Sequence, residues 1–147
     1  MIAVQTEIRI ERTIDDVFTY VADPENLPAW NSAVTGARPD GATGDAPSTF
    51  VLSRRLPTGV ATNRLRIVAF EPPERFAIET TSGPTPFHYE FRFHEDGGVT
   101  VITLAAQADV GPAGSLLGPL ARRGLASGIH ANLTALKRIL DDRAGRA

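Results

Sequence analysis

Cysteine is missing from this chain, which excludes disulfides, thiolate metal sites and a cysteine nucleophile. Lysine is almost missing too: of 15 basic residues only Lys137 is lysine. The bases are scattered and the net charge is only -2, so nothing marks an electrostatic footprint for nucleic acid or an anionic membrane surface. No stretch approaches the ~20 apolar residues of a membrane span. The start "MIAVQTEIRI" has no basic segment leading into a long apolar one, and a cytoplasmic location is therefore expected. Glycine-rich phosphate loops, internal repeats and low-complexity tracts are absent as well, so no nucleotide cofactor is indicated.

What remains is the composition of an ordinary globular protein, 42% hydrophobic and 22% charged over 147 residues. That length suits a single domain over 1–147 with one core. Residues 3–10 alternate Val4, Thr6, Ile8 and Ile10 with Gln5, Glu7 and Arg9, the period of a strand with one buried face. Thr13 is placed to cap a helix from Ile14 that ends before Pro24, with Asp15 and Asp16 in its first turn. A second short helix over 25–30 follows from Asp23 as cap and Pro24 at the first helical position, and Pro28 must distort or shorten it. A turn-rich loop at 36–47, with a short edge strand over 34–38, precedes strands at 49–56, 61–70, 75–81, 87–94 and 99–108. The connectors "EPPE" and "EDGG" suit antiparallel neighbours, hence a meander. The last segment, 115–142, is an amphipathic helix. Leu117, Leu125, Ile129, Leu133, Leu136 and Leu140 form its apolar stripe, and Pro119 is placed to split off a first turn.

The pattern is α+β, a curved antiparallel sheet of about seven strands that one long C-terminal helix must cover, with two short helices after strand one. The stretches "IRIERTIDDVFTYVADPENLPAWNSAV", "FEPPERFAI" and "GPLARRGLASGIHANLTALKRILDD" carry a resemblance at this point. The chain resembles the START-like helix-grip (SRPBCC) superfamily, in particular its polyketide cyclase and dehydrase-like branch. The resemblance implies a sheet gripping the last helix around an apolar cavity. It implies a hydrophobic small-molecule ligand, lipid- or polyketide-like. Cyclases, dehydratases and binders of protein partners also belong to the superfamily.

"DPENLPAWN" holds the only tryptophan. Trp30 either closes the cavity, as the resemblance suggests, or plugs the end of the core with its indole N–H on a backbone carbonyl. Strand alternation makes Phe50, Leu52, Leu65, Ile67, Phe76, Ile78 and Ile102 candidate lining residues. On 87–94, Phe87, Tyr89, Phe91 and Phe93 share the inward face. Tyr89 offers a hydroxyl for a ligand oxygen or for acid catalysis, against the commoner backbone bond. From the helix come Leu125, Ile129 and Arg122, which falls where a leucine belongs. Arg122 is read as a guanidinium in the cavity or as a side chain snorkelling at its mouth. Arg54 shares the parity of Phe50 and Leu52, and Arg64 and Arg66 that of Val68 and Phe70; edge exposure is expected of each, the alternative being that one of them reaches into the cavity. Gly118, Gly124 and Gly128 cost ~1 kcal/mol each in a helix interior; Gly118 on the inward stripe and Gly128 at its shoulder leave either ligand space or room for a close strand, while Gly124 falls on the outer side.

Two chemistries are set aside. His88 and His94 stand six residues apart, roughly 20 Å on a strand, too far to share an ion, so no metal site is expected. Ser127 and His130 lack an orienting group and an oxyanion hole, which excludes a hydrolase triad. The expected function is binding of a hydrophobic small molecule by a monomer or homodimer. The alternatives are a cyclase or dehydratase, with Tyr89 or Arg122 stabilising an enolate, and a partner-binding module with a large exposed apolar patch.

Overall fold

A computed structural model describes residues 2–40, 49–56, 59–109 and 118–144. β1 (Ile2–Ile10) leads into α1 (Ile14–Val21), a 3-10 turn (Pro24–Asn26) and α2 (Leu27–Trp30). Six strands follow: β2 (Val34–Pro39), β3 (Thr49–Leu56), β4 (Gly59–Glu71), β5 (Arg75–Ser82), β6 (Phe87–Asp96) and β7 (Val99–Ala108). α3 (Gly118–Ala144) closes the described chain. The strands form one antiparallel sheet in the order β1-β7-β6-β5-β4-β3-β2, a meander from β2 to β7 with β1 returning beside β7.

The short helices form where their caps dictate. Thr13 Oγ1 accepts from the Asp16 N–H at 3.3 Å, and Asp23 Oδ1 accepts from the Glu25 N–H at 3.0 Å. Each oxygen satisfies a donor that the first turn leaves without a partner. Pro28 does shorten the second helix: the segment is split into the 3-10 turn and a single α turn, with Pro28 in the first turn of α2.

α3 is described from Gly118, and Pro119 is followed by unbroken helix within the described residues. The expected residues 115–117, Leu117 included, lie outside the described residues. Ile129, Leu133, Leu136 and Leu140 are buried, and the helix packs closest on β1 and α2. Its C-terminal half is anchored by polar contacts. Lys137 Nζ donates to the Arg9 carbonyl at 2.7 Å, and Asp141 Oδ1 accepts from the Glu11 N–H at 3.0 Å.

The core between sheet and helices is aromatic at one end, where Phe18 meets Phe93 edge-on at 5.2 Å and Phe70 at 5.5 Å. Phe70 reaches Phe18 because the register of β4 shifts between Ile67 and Ala69. Such a bulge re-aims the residues beyond it. No helix among the described residues is long and apolar enough to cross a membrane.

Candidate functional site

At the end of the core away from Phe18, the sheet and α3 leave a recess of about 180 Å³. Its apolar wall is Leu27, Val34, Leu52, Ile78, Leu125 and Ile129, and its polar groups are Asn31, Ser32, Asn132, Arg54 and Tyr89. Gly128 and, contrary to the outer position expected of it, Gly124 form the helix side. A Cβ built on either glycine meets nothing within 4 Å, so no strand needs the missing side chains for a close approach. That corrects the close-packing reading and leaves open space as their observed consequence.

Tyr89 projects from β6 with its ring 4.9 Å from that of Phe87. The ring is half-buried, and the hydroxyl makes no hydrogen bond among the described residues. Burial raises its pKa above the ordinary phenol value, and the positive charge of Arg54 offsets part of that rise. The phenol therefore stays protonated at neutral pH and can donate.

Arg54 comes from β3 and overturns the expectation of edge exposure. It is half-buried, and its guanidinium carbon stands 5.1 Å above the Phe87 ring, within reach of a cation–π attraction. One nitrogen, Nη1, donates to Asn63 Oδ1 at 3.0 Å and to the carbonyls of Thr85 at 3.1 Å and Pro84 at 3.4 Å. Burial lowers its pKa, and the nearby Tyr89 acts in the opposite direction. Among the described residues Arg54 has no carboxylate partner, and its Nε and Nη2 donors meet no acceptor.

Asn63 holds this corner in place. It is fully buried, and its Nδ2 donates to the carbonyls of Pro84 at 2.9 Å and Ser82 at 3.1 Å. The loop so tied has Gly83 at a φ of +101°, a conformation that favours glycine. A Cβ there would come within 2.5 Å of the Asn63 amide and the Thr62 carbonyl. Arg54, Asn63 and the 82–86 loop thus form one rigid rim.

The other expected residues fall in two groups. Leu52, Ile78, Tyr89, Leu125 and Ile129 line the recess. Trp30, Phe50, Leu65, Phe76 and Phe91 are packed in the core with at most 4% of their surface exposed, and Ile67 packs against them. Arg122 is exposed and does not stand on the recess wall. Its angle on the helix matches the stripe, but it lies in the first turns of α3, before the buried positions begin at Ile129.

Trp30 plugs the core edge-on to Phe91, with ring centres 6.2 Å apart. Its indole Nε1 has no hydrogen-bond partner among the described residues, contrary to the expected backbone carbonyl. Sequence reasoning missed Asn31 on the recess wall and Asn63 behind it, whereas Phe87 shared the expected inward face and Arg54 was one of three arginines of which one was allowed to reach the cavity. The parity of Arg54 with Phe50 and Leu52 was the available signal. Among the described residues no cluster of His, Asp and Glu could hold a metal ion.

A family model described as "Polyketide cyclase / dehydrase and lipid transport" matches residues 1–141. The chain belongs to this family. Among solved structures, the chain is similar to a START superfamily protein from Mycobacterium smegmatis, with a TM-score of 0.81 and 15% identity over 95% of this chain and 97% of that one. A protein from Thermus thermophilus superposes with a TM-score of 0.77 at 15% identity, covering 92% of this chain and 94% of its own. The di-domain ARO/CYC StfQ from the steffimycin biosynthetic pathway gives 0.76 at 19% identity, over 98% of this chain and 52% of that one. No curated protein matches the chain. Identities this low establish the helix-grip fold that this polyketide cyclase and lipid-transport family member shares with them, and the chemistry has to be argued from the recess itself.

Proposed function

We propose that the protein binds a hydrophobic small molecule in the recess between the sheet and α3. The observation that carries this reading is an apolar recess with few, well-placed polar groups, the usual make-up of a ligand site. Gly124 and Gly128 support it, since each forgoes helix stability where a side chain would narrow the opening. The description of the family, which names lipid transport, is consistent with it.

The size of the recess bears on the ligand. About 180 Å³ is below the ~300–1,000 Å³ of pockets that enclose drug-sized ligands. A compact molecule fits, or a longer one with part of its length outside.

The alternative is a cyclase or dehydratase working in the same recess. Arg54 beside a protonated Tyr89 favours it, because a cation and a donor are what a developing enolate needs. The small volume counts against it, since a polyketide chain must be held folded for cyclisation. A partner-binding role has less support: among the described residues the large exposed apolar side chains are Val60 toward one end of β4, Val68 and Phe70 toward the other, and Leu120 on α3, too few and too spread along the chain to mark a large patch.

Native mass spectrometry of the freshly purified protein, followed by denaturing extraction, tests the binding reading. A discrete apolar species that is retained by the wild type and lost from Gly128→Leu is the expected result. Equal retention by both proteins would place the molecule elsewhere and overturn the reading.

A further inference from the structure

The recess carries a positive charge that the protein does not neutralise. Elsewhere on the sheet several arginines meet carboxylates: Arg66 pairs with Glu79, Arg75 with Glu71 and Glu90, and Arg92 with Glu90, while Arg38 and Arg55 are exposed to solvent. Arg54 meets only neutral oxygens, those of Asn63, Pro84 and Thr85. All of these contacts go through Nη1, which fixes the plane of the guanidinium. The Nε and Nη2 donors, which lie side by side on one edge, are left without an acceptor among the described residues. That edge has the geometry that receives the two oxygens of a carboxylate. The Tyr89 hydroxyl, protonated and unpartnered, borders the same recess.

We propose that Arg54 is the receptor for a negatively charged oxygen of the ligand, so that the recess selects amphipathic anions over neutral molecules of the same shape. The inference rests on the reading that the recess binds a small hydrophobic molecule, and it names that molecule's class: a carboxylate, or an enolate of similar geometry, on a compact apolar body. The apolar body lies on Leu52, Ile78, Leu125 and Ile129, and the charged head lies at the rim. Tyr89 donates to the same oxygen. Asn63 is a positioning residue, since it acts on the ligand only by holding the guanidinium and the 82–86 loop in register.

Octanoate and octanol test this, because they share a chain and differ in the head. Calorimetric titration of the full chain at neutral pH is expected to show octanoate binding at least about tenfold more tightly than octanol, the scale of a charge-assisted pair. Arg54→Gln, which keeps a donor for the loop carbonyls, is expected to erase that preference while leaving octanol within about threefold. Arg54→Lys retains the charge and is expected to keep part of the preference, whereas a purely structural role for Arg54 would lower both affinities together. Should Arg54→Gln melt too early to titrate, the lysine variant and the wild-type ratio decide. Equal affinities in the wild type, or a preference that survives Arg54→Gln, overturns the inference and leaves the binding reading standing. If neither compound binds the wild type, both fall.

Discussion

On the outer face of the sheet Arg66 reaches Glu79 at 2.6 Å and Arg92 reaches Glu90 at 2.7 Å, with both guanidinium groups more than half exposed. On the inner face Arg54 is half-buried against Phe87 and has three neutral acceptors. The outer pairs form in water, where each charge is already well solvated, so they stabilise little. The inner cation has given up water without gaining a counter-charge, which makes its surroundings costly and specific. Ion pairs are therefore dense where they matter least to the fold, and a half-buried arginine with no carboxylate partner among the described residues marks the place where chemistry is waiting for a partner.

This contrast can be sharpened by removing the support on each face. Asn63→Ala takes away the hydrogen bonds that hold the Ser82 and Pro84 carbonyls and the Arg54 guanidinium, and is expected to cost about 1–3 kcal/mol in urea unfolding. Arg66→Met on the outer face is expected to cost less than about 1 kcal/mol. Equal losses from the two substitutions would erase the distinction between the faces.

A smaller effect of opposite sign is expected from the helix side. Gly128→Ala places a methyl group in open space and is expected to raise stability by up to about 1 kcal/mol. A melting temperature that falls instead would show that Gly128 meets a packing demand and would remove one support for the recess as a built opening.

The smallest effect concerns acid. Glu79 is held below the ordinary carboxylate range first by its hydrogen bond from Arg66, and Glu90 first by that from Arg75. Because their folded pKa values are depressed, their contribution is complete above the unfolded value near ~4.3 and is lost as pH falls through the folded one. Replacing both by glutamine is expected to flatten the decline in stability below about pH 4 and to change little at neutral pH. A neutral-pH loss as large as that of Asn63→Ala would contradict the weak coupling assigned to the outer pairs.

Much of the architecture was readable because its causes are local. The alternation of Val4, Thr6, Ile8 and Ile10, the caps at Thr13 and Asp23, and the stripe from Leu125 to Leu140 each act within a few residues, and the elements appear where they indicate. The site was less readable because it depends on height and register. Arg122 has the angle of an inward residue, but angle does not tell where along α3 the sheet stops covering it. Arg54 has the parity of Leu52, yet its reach into the recess depends on Asn63 and on a loop some 30 residues later in the chain. The bulge in β4 that swings Phe70 onto Phe18 leaves no mark in a pattern of alternating residues. The missing partner of the Trp30 indole is likewise a property of the assembled core.

Trp30 is the chain's single tryptophan, buried beside Phe91 and one residue before Asn31 on the recess wall. Its fluorescence therefore comes from one known place, and the dipole of the excited indole responds to the polarity around it. With the ring buried against Phe91 and Nε1 unbonded among the described residues, the emission should be blue-shifted, and any acceptor that reaches the N–H would draw it toward the red. The polar stretch around this residue thus hides an optical probe in the natural protein, one that can follow occupancy of the neighbouring recess in real time without a label.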